Sequence, residues 1–444
     1  MRLLHLSDIH FREPDCLSSA TDESAPFRAR LTQDVIGLCL ADSTGVDAIL
    51  VGGDIAYQGH PEEYVAAENW LRALAIECNC PPERIYVVPG NHDVDRRVCE
   101  ESQNLVNAQS AIARADSGVR EQTFRTQLRD LGASNALFES LGAYNEFAAK
   151  FGCNVYPKNP YWKYDLELGG DVKLRLYGLT STLISGLGQR DNAPGRLYLS
   201  RLQTALIPEP NTVSMVLCHH PPAWFLDADN VEDDVNNRAM IQVFGHKHRQ
   251  RCARLPEYIR FSAGAVYPDR NELDWKPGYN LIDVEITGSG ADRKLQLRAQ
   301  VRHLQTTPET FVPLLTNEKE STWTHQLSFK DVGPLVFRRV PTTAAEPSSP
   351  NISPPLVGLV ADTTQAVQDA EVAMSNLSTK DLVFRFWELS KSQKRDIATK
   401  LNLITDADLD IPAPERYTRA LALAAQRGQL DDVAQEINRI ESEE

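Results

Sequence analysis

Ala48-Ile49-Leu50-Val51-Gly52-Gly53-Asp54 reads as a short apolar strand that stops at two glycines and then presents a carboxylate. Glycines at such a stop permit a tight turn and a close approach of backbone to backbone. The same arrangement recurs on either side. Leu3 to Leu6 reads as a strand ending just before Asp8-Ile9-His10, and Ile85 to Val88 as one ending just before Gly90-Asn91-His92-Asp93. Amphipathic helical stretches lie between these runs, so residues 1 to about 95 carry the alternation of an α/β layered domain.

From about Val98 to Lys150 that alternation gives way to apolar positions at helical spacing, such as Leu137, Leu141 and Tyr144, which predicts a helical insertion. Strand-like runs return at Lys173 to Leu179, Val213 to Cys218, Ile241 to Phe244, Ile259 to Ser262, Tyr279 to Val284 and Leu295 to Val301. The pattern ends near residue 335, which gives a first domain over 1–340 with the insertion at 98–150. Pro341 to Pro355 holds five prolines among Ser, Thr and Ala, a composition that cannot bury a core and predicts a linker over 341–355. Residues 356–444 then read as a small all-α bundle. One apolar face is formed by Leu382, Phe386 and Leu389, a second by Ile397 and Leu401, and another by Leu430, Val433, Ile437 and Ile440 after a break at Gly428. These faces are the expected surface for a protein partner or for self-association, and the linker is expected to leave the first domain folded and active without them.

A chain of 444 residues with 42% apolar content can bury a substantial core. It holds no apolar run of the length a membrane helix needs, and its N-terminus opens directly on a strand, so the expectation is a cytoplasmic protein without a membrane partner. The eight cysteines show neither zinc-ribbon spacing nor the density of a disulfide scaffold and are expected to be free thiols, Cys78 and Cys80 included. A formal charge of −15 argues against a protein that coats nucleic acid through a general basic surface, though not against a local basic groove.

Five polar clusters each follow a strand-like run: Asp8-Ile9-His10, Gly52-Gly53-Asp54, Gly90-Asn91-His92-Asp93, His219-His220-Pro221 and Gly245-His246-Lys247-His248. Loops at the carboxyl ends of strands in open α/β sheets meet in one crevice, so these clusters can converge. Their imidazoles, carboxylates and amide suit divalent cations and are too many for one tetrahedral ion. Two adjacent ions sharing Asp54 account for the number.

This constellation resembles the calcineurin-like metallophosphoesterase superfamily over roughly residues 1 to 300. The resemblance implies a fold, a layered β-sandwich core flanked by helices. It also implies that Asp8, His10 and His248 hold a first divalent ion, that Asn91, His219 and His246 hold a second, and that Asp54 bridges them. Mn²⁺ is the first expectation for both ions, with Fe, Zn, Ni or Mg as alternatives. His92 is implied to lie over the metals, bind substrate phosphate and protonate the leaving oxygen, which an imidazole can do near neutral pH. The family's His-X-Pro spacing favours His219 over His220 as the ligand and leaves His220 open. His5 reads as a core histidine and His60 as part of a helix start.

The superfamily includes protein phosphatases, but these follow the bridging Asp with Asp-Arg-Gly, whereas Asp54 here leads into Ile55-Ala56-Tyr57-Gln58-Gly59. That stretch is similar to the cyclic-nucleotide phosphodiesterases, while Leu4 to His10 is shared with repair nucleases. The tail resembles helical adaptor domains attached to effectors of bacterial conflict systems, which commonly attack nucleic acid. The expectation is therefore a phosphodiester hydrolase that cuts DNA or RNA and is recruited through its tail in bacterial defence, with a cyclic-nucleotide or small-nucleotide phosphodiesterase as the alternative.

Overall fold

A computed structural model of the chain describes residues 1–186, 191, 193–268, 276–329 and 377–443. The proline-containing linker expected over 341–355 lies outside the described residues.

The strands form two sheets. The first contains β1 (Arg2–Leu6), β2 (Ala48–Val51) and β3 (Ile85–Val87), and later strands join it: β10 (Gly278–Thr287), β11 (Lys294–Thr306), β12 (Glu309–Pro313) and β13 (Trp323–Ser328). Its order is β12-β11-β10-β1-β2-β3, with β13 also on β11, parallel across β1-β2-β3 and antiparallel elsewhere. The second sheet contains β4 (Tyr161–Gly169), β5 (Val172–Leu179), β6 (Thr212–Cys218), β7 (Ile241–Phe244), β8 (Arg251–Arg254) and β9 (Ile259–Ser262). Its order is β4-β5-β6-β7-β9-β8, parallel from β5 to β9 with antiparallel edges. Both sheets feed one continuous apolar core. This is the expected α/β fold, a layered β-sandwich flanked by helices.

Every side chain of β1 and β2 is buried, as in parallel strands covered on both faces, and their apolar runs have no alternation for that reason. Helices α1 (Ala25–Asp42) and α2 (Pro61–Glu77) follow β1 and β2. After β3 come the five helices of the insertion: α3 (Arg96–Glu101), α4 (Gln103–Arg114), α5 (Ser117–Arg129), α6 (Leu131–Glu139) and α7 (Gly142–Ala149). Short helices α8 (Arg201–Thr204) and α9 (Ala228–Arg238) flank β6.

Beyond residue 376 stand α10 (Leu377–Glu388), α11 (Lys391–Lys400), α12 (Ala413–Gln426) and α13 (Leu430–Glu443). The faces of Leu382, Phe386 and Leu389 and of Val433, Ile437 and Ile440 bury one another in a second apolar core. They are therefore not an association surface, because packing within the unit already uses them.

This unit also seats on the first domain. Ala149, the last residue of α7, belongs to the second core. Lys380 is buried with its Nζ 3.4 Å from the centre of the Tyr86 ring and 3.3 Å from the Ile85 carbonyl, to which it donates. Arg72 Nη2 reaches Glu388 Oε1 at 2.7 Å, and its guanidinium lies 4.4 Å over the Phe384 ring. Among the described residues, no helix is long and apolar enough to cross a membrane, and all eight cysteines are free.

Candidate metal centre

The five polar clusters meet where the carboxyl ends of both sheets face one crevice. Asp8 and His10 follow β1, Asp54 follows β2, and Asn91 follows β3. His219 follows β6, and His246 and His248 follow β7. Asp54 is central: its Oδ2 lies 3.2 Å from His219 Nε2 and 3.5 Å from His10 Nε2, and its Oδ1 accepts the His92 backbone N–H at 2.7 Å. On one side of it, Asp8 Oδ1 lies 3.1 Å from His248 Nε2. On the other, Asn91 Oδ1 lies 3.0 Å from His246 Nδ1 and 3.2 Å from His219 Nε2.

Backbone carbonyls fix three of the rings. His219 Nδ1 donates to Gly52 O at 2.7 Å, His10 Nδ1 to Tyr267 O at 3.2 Å and His92 Nδ1 to Tyr57 O at 2.8 Å. Each contact fixes a tautomer and leaves Nε2 as the free nitrogen, the usual way in which metal-bound histidines are oriented.

The local backbone is strained in the same places. Asp8, His10, Asp54, His246 and His248 have φ of 55°, 56°, 53°, 68° and 49°, in the left-handed region that non-glycine residues enter at a cost of roughly 1–3 kcal/mol each. Gly53, at φ 92°, lets the chain pass His219, whose Nδ1 would lie 2.7 Å from an added Cβ. A Cβ on Gly90 would collide with Asp54 Oδ1.

Burial works to raise the pKa of Asp54, but His219 and His92 outweigh it and hold the carboxyl well below its usual range. Asp8 is likewise lowered against burial, by His248 and His219. Burial works to lower His219, yet Asp54 and Asp8 bring it up to about 9. His246 is driven down to about 3 by burial and by His219. Burial lowers His92, with Asp54 acting in the opposite sense. The centre thus holds ionised carboxylates beside a neutral His246, whereas His219, held protonated by those carboxylates, would give up its proton to a bound cation.

A metal-binding donor set fits these observations. The donor atoms of Asp8, His10 and His248 lie within 4.8 Å of one another, as do those of Asp8, Asp54 and His219, and those of His10, Asp54 and His92. His10 Nε2 is buried without a hydrogen-bond partner. All seven expected ligands and His92 are therefore brought together.

His220 lies beside them, with a ring nitrogen within 4.8 Å of donor nitrogens of His219 and His246. Its Nδ1 lies 2.8 Å from Ser181 Oγ, its Nε2 is buried without a partner, and its ring centre is 4.4 Å from that of His246. His219, not His220, faces Asp54 and Asn91. His5 is buried within β1 and accepts from Asn280 Nδ2 at 3.0 Å, while His60 caps α2 and pairs with Glu13 at 3.0 Å.

Sequence reasoning did not single out several supporting residues. Asp93 is buried and accepts the backbone N–H groups of Gly90 (2.8 Å) and Ala56 (3.0 Å) and the Tyr64 hydroxyl (2.9 Å), which ties the Asp54 loop to the Asn91 loop. Burial and the neighbouring Asp54 push its pKa up to about 7. Ser7 donates to Asp8 Oδ2 at 2.5 Å. At the rim, Tyr57 stacks on His92 at 4.9 Å with the Arg12 guanidinium 3.7 Å over its other side, and Trp224 stands edge-on to His246 at 4.8 Å with Lys247 Nζ 5.0 Å above it. Asp93 was readable within Gly-Asn-His-Asp. Tyr267 acts through a backbone carbonyl, which leaves no signal in side-chain pattern.

Residues 1–250 match the family described as calcineurin-like phosphoesterase, and residues 378–439 match a GTPase-associated adaptor domain. Over 94 residues the chain is 35% identical to the glycerophosphodiester phosphodiesterase GpdQ of Enterobacter lignolyticus, a stretch that covers 21% of this chain and 30% of that relative. The chain thus spans less than a third of the length of this curated relative. Among solved structures it is similar to Vps29 of Chaetomium thermophilum (11% identity, TM-score 0.29, 74% of this chain and 98% of that one). It is also similar to the E. coli phosphoesterase Yfce (15% identity, TM-score 0.25, 70% and 97%).

Proposed function

Because the chain belongs to the calcineurin-like phosphoesterase family, we propose that it hydrolyses phosphodiester bonds in DNA or RNA at a centre of two divalent ions, Mn²⁺ first among the candidates. Asp8, His10 and His248 would hold one ion, Asn91, His219 and His246 the other, and Asp54 both. Bound there, such ions polarise a phosphoryl group and offset the charge that builds on its oxygens. The observation that carries this reading is the position of Asp54 Oδ2, 3.5 Å from His10 Nε2 and 3.2 Å from His219 Nε2, with donor sets on both sides.

The remaining roles fall to the chain's own groups. His92, anchored through Nδ1 to Tyr57 O at 2.8 Å, has Nε2 free to bind a phosphate oxygen and to pass a proton to the leaving one. Two aromatic–cation pairs flank the centre, Tyr57 with Arg12 and Trp224 with Lys247. Arg12 and Lys247 thereby hold positive charge beside the centre, which suits a polyanion and favours nucleic acid as substrate. Recruitment through the adaptor-like tail by a protein partner, and a place in bacterial defence, complete the proposal.

A second reading, hydrolysis of cyclic or other small phosphodiesters, is favoured by the similarity to a glycerophosphodiester phosphodiesterase. Incubation with Mn²⁺ against single-stranded DNA, duplex DNA, RNA, cyclic nucleotides and glycerophosphodiesters separates the two. The first reading expects polymer cleavage to exceed turnover of the small esters. Hydrolysis of small esters alone would replace it with the second.

A further inference from the structure

Between the catalytic body and the C-terminal helices lies a cleft of about 820 Å³, within the usual size of small-molecule sites. One wall is formed by α2 and α7, with Tyr64, Val65 and Phe147. The other carries Trp387, Pro414 and Tyr417. The indole N–H of Trp387 is buried without an acceptor.

The charge at this cleft runs against that of the chain, whose formal net charge is −15. Glu68 is neutralised by Lys150 at 2.5 Å and Arg72 at 2.7 Å. Glu146 and Asp396 remain, against four lining cations that make no ion pair among the described residues: Lys391, Lys394, Arg395 and Arg416. Lys394 and Arg416 donate to backbone carbonyls, of Trp387 at 2.7 Å and of Ile411 at 2.8 Å, while Lys391 and Arg395 are exposed. Lys391 and Ser392 also place the first turn of α11 on the cleft, and with the Gln393 and Lys394 N–H groups taken by Ser390 it is the backbone N–H groups of Lys391 and Ser392 that favour an anion there.

We propose that this cleft binds a small organic anion with a flat ring, of mononucleotide size, its ring against Trp387 and Tyr417 and its phosphate at Lys391, Arg395 and the start of α11. The site is regulatory. Tyr64 lines the cleft and donates to Asp93 Oδ1 at 2.9 Å, and Asp93 holds Gly90 N at 2.8 Å and Ala56 N at 3.0 Å, the backbone beside Asn91 and Asp54. An occupant that shifts α2 therefore shifts the metal-binding loops. This regulatory step rests on the reading of the metal centre given above, whereas binding does not.

Calorimetric titration of the EDTA-stripped full chain with GTP, ATP and inorganic phosphate tests binding with phosphate kept off the metal centre. At least one nucleotide should bind at one site and at least tenfold more tightly than phosphate. The K391E/R395E double variant should weaken it at least tenfold without changing the melting temperature. Absence of nucleotide binding, equal affinity for phosphate, or undiminished binding by the variant overturns the site. In the Mn²⁺-loaded chain the same nucleotide should change bis-nitrophenyl phosphate hydrolysis at least twofold in the wild type and not in the variant. An equal response in both places the effect at the metal centre and overturns the regulatory step, while calorimetry still decides binding.

Discussion

The catalytic body and the C-terminal unit each close around an apolar core, but they treat polar groups in opposite ways. The body buries Asp8, Asp54, His219 and His220 almost completely, at the cost of a strained backbone. The C-terminal unit has an apolar interior, and its buried lysines are handed to carbonyls and rings: Lys394 to Trp387 O at 2.7 Å, and Lys380 to Ile85 O at 3.3 Å at the seam with the body. Concentrated buried charge marks a place organised for chemistry, while isolated and satisfied buried charge marks a place organised for docking.

The largest test of that contrast is Asp54→Asn. Removing the carboxylate on which both donor sets converge should lower phosphodiesterase activity on the order of 10³-fold or more, with loss of bound metal read by elemental analysis. Near wild-type turnover at full metal content would erase the distinction drawn for the body. His92→Gln comes next. It should slow esters with poor alkoxide leaving groups by about 10²-fold, spare nitrophenolate esters and keep the metals. Equal slowing of both ester classes would show that His92 does not supply the leaving-group proton.

A chain ending near Val340 probes the other side of the comparison. All seven proposed ligands and His92 precede that point, so turnover of a small phosphodiester should stay within about threefold. The melting temperature should nevertheless fall, because Tyr86, Phe151 and Ala149 lose the cover of the C-terminal helices. An unchanged melting point would make the seam energetically idle.

The smallest effect is on stability alone. Burial lowers Lys380 from 10.5 to about 8. Between those two values the unfolded chain binds the proton and the folded chain does not, so stability due to this residue rises with pH across that window and its penalty is complete below about 8. Relative to Lys380→Met, the wild type should therefore gain up to about 3 kcal/mol between pH 7.5 and 10.5, read by denaturant titration of both proteins. A flat difference would mean that Lys380 is not desolvated.

The parts of the molecule that can be read in its sequence are those where local pattern and tertiary role coincide. Ala48–Val51, Ile241–Phe244 and Ile259–Ser262 are strands over the residues their apolar runs marked, and the ligand-bearing loops follow them directly. Tyr161–Gly169 had half-buried alternation but polar residues between its aromatics, and Arg251–Arg254 is an exposed edge strand with almost nothing apolar in it. Neither has a signal until its neighbour supplies the hydrogen bonds. The seam was illegible for a different reason: a single lysine finding the Tyr86 ring leaves no periodic trace. The apolar faces of the tail were read correctly as faces, but which surface they cover depends on partners distant in sequence.

The left-handed turns at Asp8, His10, Asp54, His246 and His248 restrict how this site can change over generations. Asp, Asn and His are the side chains that both donate to a cation and tolerate that region of backbone space. Glu keeps the carboxylate of Asp54 but fits the turn less well, and Thr or Val fits it worst. Drift at these positions is thereby confined to a few codons that preserve donor chemistry, apart from glycine, which keeps the turn and deletes the donor in one step. A lineage that abandons this donor set should accordingly show glycine or asparagine at these turns long before it shows a β-branched residue.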